Sequence, residues 1–140
     1  MTSDHGSQTQ ELFEHAKNTR EHAYAPYSHF KVGAAVRVHG TNEIISACNV
    51  ENVSYGATVC AERNAVFATV ARYGEVKIDE LVVVADDDPP VVPCALCLQV
   101  LQEFCPPSLP IHLATPRGLQ QTVTLGELLP HPFNSFHENE

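Results

Sequence analysis

The chain has 140 residues, which suits one domain with a real core, and its 44% hydrophobic and 18% charged content is globular rather than disordered. A formal charge of −9, with only 8 scattered Lys and Arg, argues against a polynucleotide partner, since phosphate backbones are held by clustered cations. No apolar run approaches the roughly 20 residues needed to span a bilayer, and the polar start "MTSDHGSQTQ" has no signal-peptide core, so a cytoplasmic protein with a small, neutral or weakly charged partner is expected.

Residues 1–9 read as a flexible tail, and 137–140 as a second one, around a single domain over 10–136. "ELFEHAKNTREHAYA" places Leu12, Phe13, Ala16 and Ala23 at roughly helical spacing, and Pro26 closes that helix. "FKVGAAVRVH" and "IISACNV", joined by the turn "HGTNE", read as a β-hairpin. "ENVSYGA" reads as a loop and "VCAERNAVFATVARYG" as a helix stopped by Gly74. "ELVVVADD" is a buried strand, "DDDPPVVP" a connector, and "CALCLQVLQEF" a helix entered after Pro93. "IHLATP" and "QTVTL" read as late strands, with "GELLPHPF" a short final helix or turn. This order predicts an α/β protein, a three-layer α/β/α sandwich around a central mixed five-stranded sheet.

Five cysteines, an odd number, make a poor disulfide framework, so metal or redox chemistry is the better question for some of them. Cys94 and Cys97 share one face of a helix at its start, and Cys60 opens another helix. Helix N-termini favour thiolate over thiol, so three sulfurs can converge between two such ends. Three protein ligands are what a catalytic zinc keeps, its fourth position left for water. Glu62, two residues after Cys60, can then take and return the proton of that water. Read alone, the C-x-x-C also fits a redox pair or half of a structural zinc site that Cys48 or Cys105 would complete, and Glu62 fits a helix-dipole carboxylate.

The blocks "YAPYSHFKVGAAV", "CNVENVSYGATVCAERNA" and "PCALCLQVLQEF", followed by "TVTLGELLPHPF", resemble in order and spacing the small homotetrameric zinc-dependent cytidine deaminases. That resemblance implies zinc on Cys60, Cys94 and Cys97, with Glu62 shuttling protons. It implies Asn49 and Glu51 at the ribose hydroxyls, Phe30 beside the nucleoside, the Ala61 N–H near the base carbonyl, and Arg63 donating to the thiolates, with Gln99 retained behind them. Tyr55 and Phe133 would complete the pocket of a neighbouring subunit in a homotetramer with shared active sites. The implied reaction is hydrolytic deamination of cytidine and 2′-deoxycytidine, as free nucleosides, in pyrimidine salvage. The alternatives are a deaminase of another aminopyrimidine nucleoside, such as a blasticidin-type antibiotic, and a catalytically silent zinc module. The family usually reads C-G-A-C-R-Q where this chain has Ala95, Leu96 and Leu98, so an arginine is replaced by leucine one residue past a ligand.

Overall fold

The computed structural model describes residues 2–135, with side chains from residue 6 onward. Helix α1 (Thr2–Arg20) is followed by strands β1 (Val32–Val38) and β2 (Ile44–Cys48), a 3-10 turn at Tyr55–Ala57, and helix α2 (Ala61–Tyr73). Then come β3 (Ile78–Ala85), α3 (Ala95–Phe104), β4 (Pro110–Thr115), β5 (Gly118–Thr124) and the short α4 (Leu125–Leu128). The sheet order is β2-β1-β3-β4-β5. Only β3 and β4 run parallel, joined through α3, and every other neighbour pair is antiparallel. The mixed five-stranded sheet of the α/β reading is therefore present.

Alternation along the strands sorts the core into two halves. Ala34, Val36, Val38, Leu81, Val83, Ile111 and Leu113 pack with Ala65 and Val66 of α2 and Leu98 and Leu101 of α3. Ala35, Val82, Val84 and Ala114 face the other way, onto Leu12, Phe13 and Ala16 of α1. Three layers result. The α1 layer sits close: a Cβ on Gly33 would lie 2.0 Å from the Ala16 carbonyl oxygen and 2.8 Å from Arg20 Cβ. Gly33→Ala should push α1 off the sheet at a cost of about 1–3 kcal/mol, read as a melting temperature lower by roughly 5–10 °C.

α1 begins at Thr2, inside the segment 1–9 that the sequence suggests as a tail. The reason is a polar anchor that local sequence does not reveal. Thr9 is buried and its hydroxyl donates to Glu80, while Arg37 Nη2 donates to the Gln8 carbonyl at 2.6 Å. Arg37 Nε lies 3.4 Å from Glu80, and His112 Nε2 donates to the same carboxylate at 2.7 Å. Gln8 and Thr9 thus belong to the packed body. The other tail, 137–140, lies outside the described residues. β5 also starts earlier than "QTVTL" suggests: it begins at Gly118, and Leu119 and Gln120 lie exposed on this edge strand.

Burial pushes the Glu80 carboxyl up, but hydrogen bonds from His112 and Thr9 and the surrounding positive charge outweigh this and hold it below its ordinary value. A depressed carboxylate contributes stability above its unfolded pKa, about 4.3, and loses it as pH falls through the folded value. Glu80→Gln is therefore expected to lower stability at pH 7 by about 3 kcal/mol, because Arg37 keeps no carboxylate. It should also flatten the acid-induced loss of stability below about pH 4.5. Urea unfolding at pH 7, 5 and 3.5 measures both.

Candidate metal and catalytic site

The connections after β2 and β3 lead into helices whose N-termini meet beyond the carboxyl end of β3, where open α/β sheets place their ligands. Cys60 is the N-cap of α2 and Cys94 the N-cap of α3, both with extended backbone and neither with its side chain used to cap its helix. Asn64 of α2 donates to the Cys48 and Val59 carbonyls, fixing the first turn of α2 to the end of β2. Each helix starts one residue after its cysteine, so Cys97 occupies the first turn of α3.

The three sulfurs converge. Cys60 Sγ is 3.7 Å from Cys94 Sγ, Cys94 Sγ is 3.6 Å from Cys97 Sγ, and all three lie within 4.8 Å of one another. Tetrahedral ligands about 2.3 Å from zinc stand roughly 3.8 Å apart, so this donor set fits that ion. Among the described residues, neither Cys48 nor Cys105 joins the group, which leaves the set at three. The four-sulfur alternative is thereby lost. Cys97 is fully buried and Cys94 exposed, so the site opens on the Cys94 side. The Cys60 thiol is drawn down to about 5, first by its hydrogen bond with Cys97 and then, against burial, by Arg63. Cys97, donating to Cys60 and buried, is pushed up.

Arg63 Nη2 lies 3.9 Å from Cys60 Sγ and 3.4 Å from the Thr58 carbonyl. Its Nε is buried without a hydrogen-bond partner, which suits an anionic sulfur cluster beside it. Leu98 packs into the main core at 7% exposure, so the position where an arginine was expected brings no charge to the sulfurs. Gln99 Nε2 donates to the Phe133 carbonyl at 2.6 Å and so ties α3 to the C-terminal segment.

Beside the sulfurs lies a cavity of about 270 Å³, near the lower end of small-molecule sites. Phe30, Asn49, Glu51, Cys60, Ala61, Glu62 and Cys94 all line it, so most of the residues expected at a site meet there. Glu62, in the first turn of α2, is 5% exposed. Burial, with the neighbouring Cys60 charge, pushes its carboxyl up to about 7, in the range suited to proton transfer near neutrality. Tyr55 lines an adjoining surface depression with Tyr27, their rings 6.4 Å apart edge to face, and that depression shares Ser28, Glu51 and Thr58 with the cavity. Tyr55 and Phe133 are 79% and 62% exposed, and neither lines the cavity within this chain. A larger depression of about 780 Å³, around His39, Lys77 and Phe104, lies at the opposite end of β1 and holds no cysteine.

Sequence reasoning missed Ser28, Val32, Thr58, Val91 and Val92 on the cavity wall. Ser28 is the informative one. Its Oγ donates to Glu51 Oε2, its N–H donates to Glu51 Oε1 at 3.1 Å, and the Tyr27 N–H reaches the same oxygen at 3.0 Å. The Ser28 hydroxyl bond, aided by these backbone donors against partial desolvation, holds the Glu51 carboxyl below its usual value. Ser28 Oγ also accepts the Phe30 N–H at 3.0 Å, and between them His29 takes a left-handed φ of 59°. Asn49 does the same work one step further on: Oδ1 accepts the Val32 N–H and Nδ2 donates to the Phe30 carbonyl, both at 2.9 Å. The only signal in the sequence was the block "YSHF" itself.

Residues 6–113 match the family model described as the cytidine and deoxycytidylate deaminase zinc-binding region. The chain is 41% identical over 131 residues to a cytidine deaminase of Halalkalibacterium halodurans, covering 94% of this chain and 98% of that one. It is 44% identical over 126 residues to a cytidine deaminase of Sporosarcina psychrophila, covering 89% and 90%. Among solved structures, the cytidine deaminase of Burkholderia pseudomallei superposes with a TM-score of 0.80 at 42% identity, covering 89% of this chain and 98% of that one.

Proposed function

Since the chain belongs to the cytidine and deoxycytidylate deaminase zinc-binding family, we propose that it converts cytidine and 2′-deoxycytidine, with water, to uridine and 2′-deoxyuridine plus ammonia. The observation that carries this reading is the juxtaposition of three sulfurs at zinc-ligand spacing with a buried carboxyl on the wall of one cavity. Cys60, Cys94 and Cys97 would hold zinc, which when bound would supply an acidified water at neutral pH. Glu62 accepts the proton of that water, passes it to the ring nitrogen N3, and serves again when the amino group leaves as ammonia. The Ala61 N–H, at the start of α2, meets the base carbonyl. Phe30 forms the wall beside the base, and Asn49 and Glu51 hold the sugar. Arg63 offsets the negative charge of three thiolates, and Gln99 steadies α3 through its bond to the Phe133 carbonyl.

Among the described residues, the cavity lining contains no Lys or Arg and does contain the Glu51 carboxylate. A phosphate on the sugar would find repulsion and no partner there, which favours the free nucleoside over the nucleotide. The exposure of Tyr55 and Phe133 supports an assembly in which each chain lends these rings to a neighbour's cavity. We take that assembly to be a homotetramer, expected in solution at four times the 15.3 kDa chain mass by light scattering. No helix among the described residues is long and apolar enough to cross a membrane. A cytoplasmic setting suits a cluster of three sulfurs that must stay reduced.

A panel of cytidine, 2′-deoxycytidine, cytidine monophosphate, adenosine and a 4-aminopyrimidine antibiotic nucleoside, followed by ammonia release, tests the reading. Turnover of the first two and not of the monophosphate is expected. A zinc-loaded protein inactive on the whole panel would return the chain to the silent-module alternative.

A further inference from the structure

The carboxylate expected to hold the sugar is already mostly committed within the protein. A carboxylate offers about four acceptor positions, two on each oxygen. Glu51 Oε1 takes the N–H groups of Tyr27 and Ser28, at 3.0 and 3.1 Å, and is filled. Oε2 takes the Ser28 hydroxyl, which leaves one acceptor position on the side chain. Glu51 can therefore accept one sugar hydroxyl, not the two that its ionised form alone would suggest. Among the described residues, Ser28 is the only side chain donating to Glu51.

The same hydroxyl oxygen accepts the N–H of Phe30, and Phe30 lines the cavity. One small side chain thus sets both the acceptor for the sugar and the backbone that carries the ring beside the base. Asn49 differs: its amide is fixed on both sides by backbone groups, of Val32 and Phe30, and leaves one N–H and one lone pair for a ligand. Its orientation needs no other side chain.

We propose that Ser28 is a positioning residue for the sugar subsite, its hydroxyl holding Glu51 Oε2 so that the single remaining acceptor position meets one sugar hydroxyl. The proposal rests on the nucleoside reading above. Without the Ser28 donor, the carboxylate is held at one oxygen only, and its free end turns or takes water. The loss then appears in discrimination for the sugar hydroxyls, not in the chemical step, because Ser28 reaches neither Glu62 nor the sulfurs.

The test compares kcat/KM for cytidine and for 2′,3′-dideoxycytidine, which lacks both hydroxyls near the acceptor. In the zinc-loaded wild type the ratio should favour cytidine clearly. In Ser28→Ala the ratio should fall by about tenfold, through a higher KM for cytidine with kcat held within about twofold, as expected for loss of one charge-assisted hydrogen bond. Ser28→Thr, which keeps the hydroxyl, should restore the ratio. If Ser28→Ala does not fold, Ser28→Cys preserves the volume while replacing a strong donor by a weak one, and the same fall is expected. Equal losses on both nucleosides would mean that Ser28 merely holds the loop, and the proposal is overturned. An unchanged ratio overturns it as well, as does a wild type that does not distinguish the two nucleosides. A wild type that deaminates neither defeats the nucleoside reading itself, which separates the two failures.

Discussion

Glu62→Gln should lower turnover of cytidine by about 10²- to 10⁴-fold while leaving zinc near one equivalent per chain, the magnitude expected when a positioned proton carrier is removed. The amide matches the carboxylate in size, so α2 and the cavity wall stay in place. What it cannot do is accept a proton from water and deliver it to the base. The substitution should not weaken the fold, and the sign can be worked out. Burial, with the Cys60 charge beside it, raises the Glu62 carboxyl to about 7. A group with a raised folded pKa favours the folded state below its unfolded value, about 4.3, and that contribution is lost as pH rises through the folded value. Gln carries no such penalty. Above pH 7 the variant should melt at or above the wild-type temperature, and inactivity combined with a lower melting temperature would contradict the proton-carrier role. Metal analysis, thermal melts at pH 8 and steady-state kinetics on one preparation decide the matter.

Cys97→Ala should reduce zinc after dialysis against a weak chelator to well below 0.1 equivalent per chain, and turnover should fall with it. Loss of groups that only touch a ligand costs 10–100-fold in metal affinity, so loss of a ligand itself should exceed about 100-fold. Cys97 is the strongest choice because it is the fully buried member of the three sulfurs, and no outside donor can replace it easily. Cys48→Ser is the matching control. Cys48 stands outside the sulfur group and should keep both zinc and activity. If Cys48→Ser also loses zinc, the three-sulfur assignment is wrong.

The sequence exposed this site more fully than it exposed the ends of the fold. Cys94 and Cys97 share the start of one helix and Glu62 stands two residues after Cys60, and these relations are local. The meeting of Cys60 with Cys94, 34 residues further on, was legible only through the resemblance of the surrounding blocks. The start of α1 was hidden because "MTSDHGSQTQ" is polar and contains Gly6, while the groups that hold it, Arg37 and Glu80, lie far along the chain. The first half of β5 was hidden because Leu119, Gln120 and Gln121 are all exposed on this edge strand, so no apolar-polar alternation marks it. Ser28 escaped notice because an exposed serine in a turn looks like any other, and its partner Glu51 is 23 residues away.

The anchoring of Gln8 and Thr9 bears on how shortened versions of this protein should be made. A truncation beginning at residue 11 would remove the carbonyl that Arg37 grips and the hydroxyl that reaches Glu80, leaving a nearly solvent-excluded guanidinium with only the Glu80 carboxylate under what is left of the helix. Trimming the leading segment to help crystal growth would therefore cost folding yield, and affinity tags are better carried at the opposite terminus.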